Sequence, residues 1–116
     1  MSGLAWLAAL AMTALLMWAG AEPAAGAAFE GWLHWVAHPA AFAVLTWAWQ
    51  AALPRASPWM TVLGVALFAV GHEAYEVRAH VHAFEGIDVL LDLLGAGLAW
   101  IVPVRRRTVE PDGLRP

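Results

Sequence analysis

Four long apolar runs make up most of this 116-residue chain, and they limit what it can fold into. Each run approaches the roughly 20 residues that a helix needs to cross the hydrocarbon layer of a membrane. With 62% hydrophobic and 13% charged residues, the chain is too apolar for a soluble domain of this size. The sequence therefore predicts an all-α integral membrane bundle of four transmembrane helices, at about residues 4–21, 32–53, 58–80 and 87–104.

The breaks between the runs contain proline and glycine, which interrupt helices. Residues 22–28 include Pro23 and Gly26 and predict a loop. Pro54 and Pro58 bound a tight turn, in which Ser57 can cap the third helix. We therefore expect one membrane domain over residues 1–107, followed by a polar cytoplasmic tail over residues 108–116.

The first run could also be a signal peptide, because residues 19–21 have the small side chains of a cleavage site. The run lacks the basic segment that normally begins a signal peptide, so we expect it to be retained as the first helix. The sequence leaves both alternatives open.

The arginines predict the orientation, because short cytoplasmic loops hold an excess of basic residues. Arg55 lies in the middle turn, whereas Arg78 follows the apolar part of the third run. Four more arginines follow the fourth run: Arg105, Arg106, Arg107 and Arg115. Both termini are therefore predicted to be cytoplasmic. Tryptophans cluster toward the ends of the runs, as in the aromatic belts of membrane interfaces.

With this orientation, the outer half of the bundle is acidic and rich in histidine. It holds Glu22, Glu30, Glu73, Glu76, Glu85, Asp88 and Asp92, together with His34, His38, His72, His80 and His82. Many of these residues are three or four positions apart within one run, so they share one face of a helix. Ionisable groups facing lipid are costly, so we expect these stripes to turn inward and converge.

A polar network that only fixes helix packing is the simplest interpretation of these residues. For Glu73, Glu76, Asp88 and Asp92 together, a binding site is the better interpretation, because four carboxylates in one small bundle repel each other. Shared protons, Arg78 or a bound cation could offset that repulsion. With His38, these four carboxylates form the predicted ligand pocket.

Metal binding is an alternative, since histidine and carboxylate together suit zinc, manganese or iron. The candidate metal ligands are His34, His38, Glu73 and His80, and the same histidines could bind a haem. The Glu-x-x-His pairs of di-iron helical bundles are missing, and the sequence has no cysteine to supply a thiolate ligand. The cofactor, if there is one, stays unassigned.

The polar residues of the third and fourth runs resemble the motif of the VanZ-like membrane proteins. That family has Glu-x-x-Gln on one helix and Asp-x-x-x-Asn-x-x-Gly on the next. Here Glu73, Asp88 and Gly95 match the motif, whereas Glu76 replaces the glutamine and Asp92 replaces the asparagine. The family's arginine shortly before the aspartate is also absent, unless Arg78 substitutes for it from the preceding loop.

A histidine followed four residues later by an aromatic residue is a further family feature. His38 and Phe42 match it, although His34, with Glu30 four residues before it, could take the same role. The resemblance implies a compact, multi-pass protein of the bacterial cytoplasmic (inner) membrane, from a family linked to glycopeptide resistance without a settled biochemical activity.

The leading functional hypothesis is therefore a VanZ-like envelope protein whose outward-facing acidic and histidine pocket binds a polar or cationic ligand. Acid and base catalysis is conceivable with paired carboxylates and a histidine, but no nucleophile is evident, so the sequence does not decide whether the protein is an enzyme. Alternatives are a small accessory subunit of a larger membrane protein complex, and a metal- or haem-binding membrane protein. The expected partners are the lipid bilayer and either such a complex or further copies of this chain. No nucleic-acid-binding motif is present.

Overall fold

The computed structural model describes residues 2–81 and 83–102, and within these residues the chain is all-α. Its helices are α1 (Ser2–Ala21), α2 (Pro23–Ala28), α3 (Trp32–Ala52), α4 (Pro58–His80) and α5 (Gly86–Ile101). Helices α1, α3 and α4 start and end within two residues of the predicted positions, and α5 starts one residue before its predicted start. The predicted end of the last helix, at residue 104, and the predicted tail lie outside the described residues.

The loop prediction for residues 22–28 was wrong, because most of this segment forms the short helix α2. A carboxylate oxygen of Glu22 accepts a hydrogen bond from the backbone N–H of Ala24 at 3.3 Å and caps the first turn. Pro23 follows in the first turn, where its missing N–H is not needed and its fixed φ suits a helix. Proline here starts a helix rather than preventing one.

The four long helices run alternately up and down, with α3 packed most extensively against α5. At one end of the bundle, the rings of Trp6 and Trp49 meet edge to face at 5.5 Å, and Trp47 donates a hydrogen bond to the carbonyl of Val102 at 2.7 Å. These contacts bring together the start of α1 and the ends of α3 and α5. We call this the tryptophan end of the bundle.

Close packing of α3 on α5 depends on the missing side chain of Gly95. A Cβ atom at Gly95 would overlap the backbone of Pro39, with the carbonyl oxygen nearest. Small residues permit this kind of backbone approach between helices. The contact lies close to the polar side chains of both helices, which are His38 on α3 and Asp92 on α5.

The apolar core lies in the middle of the bundle and contains Phe42, Leu45, Val65, Ala69 and Ala96. Burial is otherwise unusual for a small protein, because several carboxylates are inside while large apolar side chains are outside. Glu73 and Asp92 are each 1% exposed, whereas Leu67 is 67% exposed and Leu94 is 61% exposed.

Among the described helices, one is long and apolar enough to cross a membrane by composition alone. This segment, Gly3–Ala21, has a mean hydropathy of 1.8, and a signal sequence near an N-terminus would have the same properties. Helices α3 and α4 are long enough but include polar residues such as His38, Glu73 and Glu76, and α5 has only 16 residues. The predicted arrangement of four spans is therefore not confirmed.

Candidate functional site

The ionisable side chains gather at the end of the bundle opposite the tryptophan end, which we call the polar end. There α1 and α4 finish and α3 and α5 begin. A cleft of about 790 Å³ opens at the polar end, and α2 contributes to its wall. His34, His38, Glu76 and Asp88 line this cleft, whereas Glu73 and Asp92 lie deeper and do not line it.

Two histidines of α3 face two aspartates of α5. His34 Nε2 lies 2.7 Å from Asp88 Oδ1, and His38 Nδ1 lies 2.7 Å from Asp92 Oδ1. The pairs form because each partner is four residues from the next on its own helix, so both histidines and both aspartates lie on facing sides. The two imidazole rings are themselves 4.5 Å apart between centroids.

Asp88 is the residue at which the ionisable groups meet. It is 3% exposed and belongs to two groups of side chains whose donor atoms lie within 4.8 Å of one another. One group consists of His34, His38 and Asp88, and the other consists of Glu73, Glu76 and Asp88. A single buried carboxylate thus connects a histidine-rich side to an acidic side.

Glu73 also fixes the connection between α4 and α5. Its Oε1 accepts a hydrogen bond from the backbone N–H of Glu85 at 2.7 Å, immediately before α5 begins. This bond helps to hold the first turn of α5, and therefore Asp88, against α4. Arg78 is exposed and, among the described residues, forms no ion pair with a carboxylate.

The five residues of the predicted ligand pocket thus lie at one end of the bundle. The structure gathers the candidate metal ligands differently, because His34 and His38 group with Asp88, and Glu73 belongs to the acidic group. His80 is in neither group, since its Nε2 donates to the carbonyl of Gly20 at 2.6 Å. His82 lies outside the described residues.

The sequence interpretation missed the part that α1 plays at the polar end. His72 is 5% exposed and donates from Nε2 to the carbonyl of Leu16 at 2.8 Å. Gly20 makes this approach feasible, because a Cβ there would lie 2.7 Å from His72 Nε2 and 2.9 Å from a Glu76 oxygen. A lone glycine near the end of an apolar run was the available signal.

This arrangement suits cation binding or proton sharing better than nucleophilic chemistry. It offers imidazole nitrogens and carboxylate oxygens around one cleft, without a serine or cysteine among them. Haem ligation by His34 and His38 together does not fit this geometry. Their rings are 4.5 Å apart on successive turns of one helix, so they cannot bind opposite faces of one iron porphyrin.

Comparison of the chain with models of protein families gave no match, and comparison with curated proteins and with solved structures gave no significant match. The resemblance to the VanZ-like proteins therefore depends on the motif residues alone.

Proposed function

We propose that this chain is a VanZ-like, multi-pass protein of the bacterial cytoplasmic membrane whose outward-facing pocket binds a cationic ligand. The proposal has four spans, formed by the four long helices, with both termini in the cytoplasm. The polar end then faces outward and the tryptophan end faces the cytoplasm.

The distribution of buried and exposed side chains supports a membrane location. Carboxylates with exposures of 1% to 3% lie inside the bundle, while leucines such as Leu15, Leu67 and Leu94 are more than half exposed. In water this arrangement would be unfavourable for two reasons. Large apolar patches would contact the solvent, and the buried charged groups would lose their hydration. Lipid favours it, because leucine can face acyl chains and ionisable groups must turn toward the bundle interior.

The position of Asp88 supports the ligand-binding part of the proposal most directly. This buried carboxylate contacts two histidines and also belongs to the group that contains Glu73 and Glu76. Carboxylates this close repel each other unless positive charge or protons lie between them. The adjoining cleft gives a cation access to the group from one end of the bundle.

The motif residues of the VanZ-like pattern lie together in a way that agrees with a shared role. His38, Glu73 and Asp88 are at the polar end, and Gly95 allows the close contact of α3 with α5. Asp92 accepts a hydrogen bond from His38, which the amide oxygen of the family's asparagine could also do. Aspartate can therefore take the place of the family's asparagine in such a contact, with a negative charge and without the amide donor.

The topology can be tested by cysteine labelling, because the chain has no cysteine of its own. Ala28→Cys places a thiol at the exposed end of α2, and Ser57→Cys places one in the turn before α4. In intact bacterial spheroplasts, a membrane-impermeant maleimide should label the Ala28→Cys variant and spare the Ser57→Cys variant until the membrane is permeabilised. Equal labelling of both variants in intact spheroplasts would contradict the four-span topology.

Ligand binding can be tested by thermal unfolding of the detergent-purified protein, followed by tryptophan fluorescence. Mg²⁺, Ca²⁺, Mn²⁺, Zn²⁺ and spermidine are the probes, and Asp88→Asn is the comparison variant. At least one cation should raise the Tm of the wild type and leave that of the variant unchanged, since a ligand stabilises the state that binds it. The pocket hypothesis fails if no cation raises the wild-type Tm. If no cation raises the Tm and the protein also co-purifies with another protein at constant stoichiometry in mild detergent, the accessory-subunit alternative is favoured.

A further inference from the structure

The geometry points to a divalent transition-metal ion as the ligand, bound by His34 Nε2, His38 Nε2 and the carboxylate of Asp88. This inference rests on the proposed function, because it names the ligand class for the same pocket. It replaces two of the metal ligands expected from sequence, Glu73 and His80, with Asp88.

The three side chains already have spacings close to those of a metal site. His34 Nε2 is 2.7 Å from Asp88 Oδ1, and His38 Nε2 is 3.9 Å from Asp88 Oδ2. Ligands about 2.1 Å from one tetrahedral zinc ion lie about 3.4 Å from each other, which is between these two distances. One ligand atom from each of the three residues also lies within 4.8 Å of the other two, so small side-chain rotations would place all three donors around one ion.

Asp92 prepares His38 for this role by holding its other ring nitrogen. The 2.7 Å contact between His38 Nδ1 and the Asp92 carboxylate assigns the proton of a neutral ring to Nδ1. Nε2 then presents a lone pair to Asp88, at a distance of 3.9 Å that is too long for a hydrogen bond. A carboxylate that orients a histidine in this manner is the usual second partner of a metal-bound imidazole.

The cleft supplies both access and an open coordination position. All three proposed ligands line it, and the side chain of His34 is 36% exposed. The ligands come from α3 and α5 only, so the side of the ion that faces α1 and α2 would be free for water or a further ligand. Catalytic zinc sites have this composition, with three protein ligands and one exchangeable position.

The donor set favours a transition metal over calcium or magnesium. Imidazole nitrogens suit zinc, cobalt, iron and nickel, whereas hard cations require mostly oxygen ligands. The neighbouring Glu73, Glu76 and Asp88 group offers only oxygen, so it would be the location for a hard cation. The two groups share Asp88, but they favour different ions, and the other substitutions that abolish binding differ: His34 and His38 in one group, Glu73 and Glu76 in the other.

The test is a Co²⁺ titration of the full-length protein in detergent, purified with a histidine-free tag and stripped with a chelator. The visible absorption of Co²⁺ reports its coordination, and Zn²⁺ should displace it. We expect one Co²⁺ per chain in the wild type, and no binding by His34→Ala, His38→Ala or Asp88→Asn. Asp92→Asn should weaken binding by roughly 10- to 100-fold without removing the absorption band, as expected for a residue that acts through His38.

His80→Gln separates this ligand set from the one predicted by sequence, since glutamine can still donate to the Gly20 carbonyl. Unchanged Co²⁺ binding by this variant supports the proposed ligands, and loss of binding overturns them. Thermal unfolding of each variant identifies any variant that fails to fold. If folded wild-type protein binds neither Co²⁺ nor Zn²⁺, that result is sufficient to overturn the transition-metal inference.

The outcomes also distinguish this inference from the proposed function. If Mg²⁺, Ca²⁺ or spermidine raises the Tm through Asp88 while Co²⁺ and Zn²⁺ do not bind, the transition-metal inference is wrong and the cation pocket stands. If none of these ions has an effect, both are wrong.

Discussion

His38 on α3 and Asp92 on α5 are joined by a 2.7 Å contact between Nδ1 and Oδ1, 54 residues apart in the chain. Asp92 is 1% exposed, so this contact is also a tie between two helices in the interior of the bundle. The His38 ring is held through Nδ1, and its other nitrogen, Nε2, lies 3.9 Å from Asp88 Oδ2. The same bond therefore serves the stability of the helix pair and the geometry of the candidate site.

We expect Asp92→Leu to destabilise the protein more than Asp92→Asn. Leucine removes the acceptor for His38, and a hydrogen bond to a charged group contributes about 1.5–3 kcal/mol. The Asp92→Asn variant keeps an acceptor oxygen and should lose only part of this free energy of unfolding. Chemical or thermal unfolding in detergent, followed by tryptophan fluorescence, measures the difference. Equal stability of the two variants would mean that the bond contributes little.

Gly95→Ala should destabilise the bundle by about 1–3 kcal/mol, as overpacking of a close contact does. The added methyl group would meet the backbone of Pro39, which cannot move aside as a flexible side chain could. Gly97→Ala is the matched control on the same helix, because no side chain or neighbouring helix of the described residues lies within 4 Å of its added Cβ. That variant should gain up to about 1 kcal/mol from better helix propensity. Similar losses in both variants would argue against the close α3–α5 contact.

Thr61→Val should be neutral or stabilising, although Thr61 is only 6% exposed. Among the described residues, its hydroxyl has no hydrogen-bond partner, and replacing an unpaired buried polar group with an isosteric methyl group removes a desolvation penalty. Thr46→Val is the control, because the Thr46 hydroxyl donates to the carbonyl of Phe42 at 2.7 Å. We expect the control to lose about 0.5–1.5 kcal/mol. The reverse order of the two Tm values would contradict the hydrogen bonding described here.

Val81→Gly should stabilise the protein by about 1 kcal/mol, because a left-handed backbone is costly for residues with a Cβ. Val81 ends α4 with φ at 54°, and its side chain is 90% exposed, so glycine removes strain without removing packing. Ala79→Gly, in an ordinary helical position two residues earlier, should instead lose about 0.5–1 kcal/mol. Thermal unfolding of the two variants beside the wild type checks the difference in sign.

The sequence by itself determined the helical class, the four long helices and the placement at one end of the bundle of the predicted pocket residues, which are His38, Glu73, Glu76, Asp88 and Asp92. These features follow from local properties, namely the length of each apolar run, the prolines at its ends and the three- and four-residue spacing of ionisable side chains. The sequence does not predict helix α2, because proline and glycine are typical of loops, whereas in the fold Glu22 caps the helix and Pro23 occupies its first turn.

Only the tertiary structure decided which histidine meets which carboxylate. Spacing along one helix does not specify how far a neighbouring helix is rotated or shifted along its axis, and the pairs depend on both. The contact of Gly95 with Pro39 sets this relation for α3 and α5, so that His34 meets Asp88 and His38 meets Asp92. His80 was predicted to join the metal ligands, but the end of α1 comes close enough for its Gly20 carbonyl to accept a hydrogen bond from this histidine. Such contacts join residues far apart in the chain, so helix packing determines them and local sequence does not.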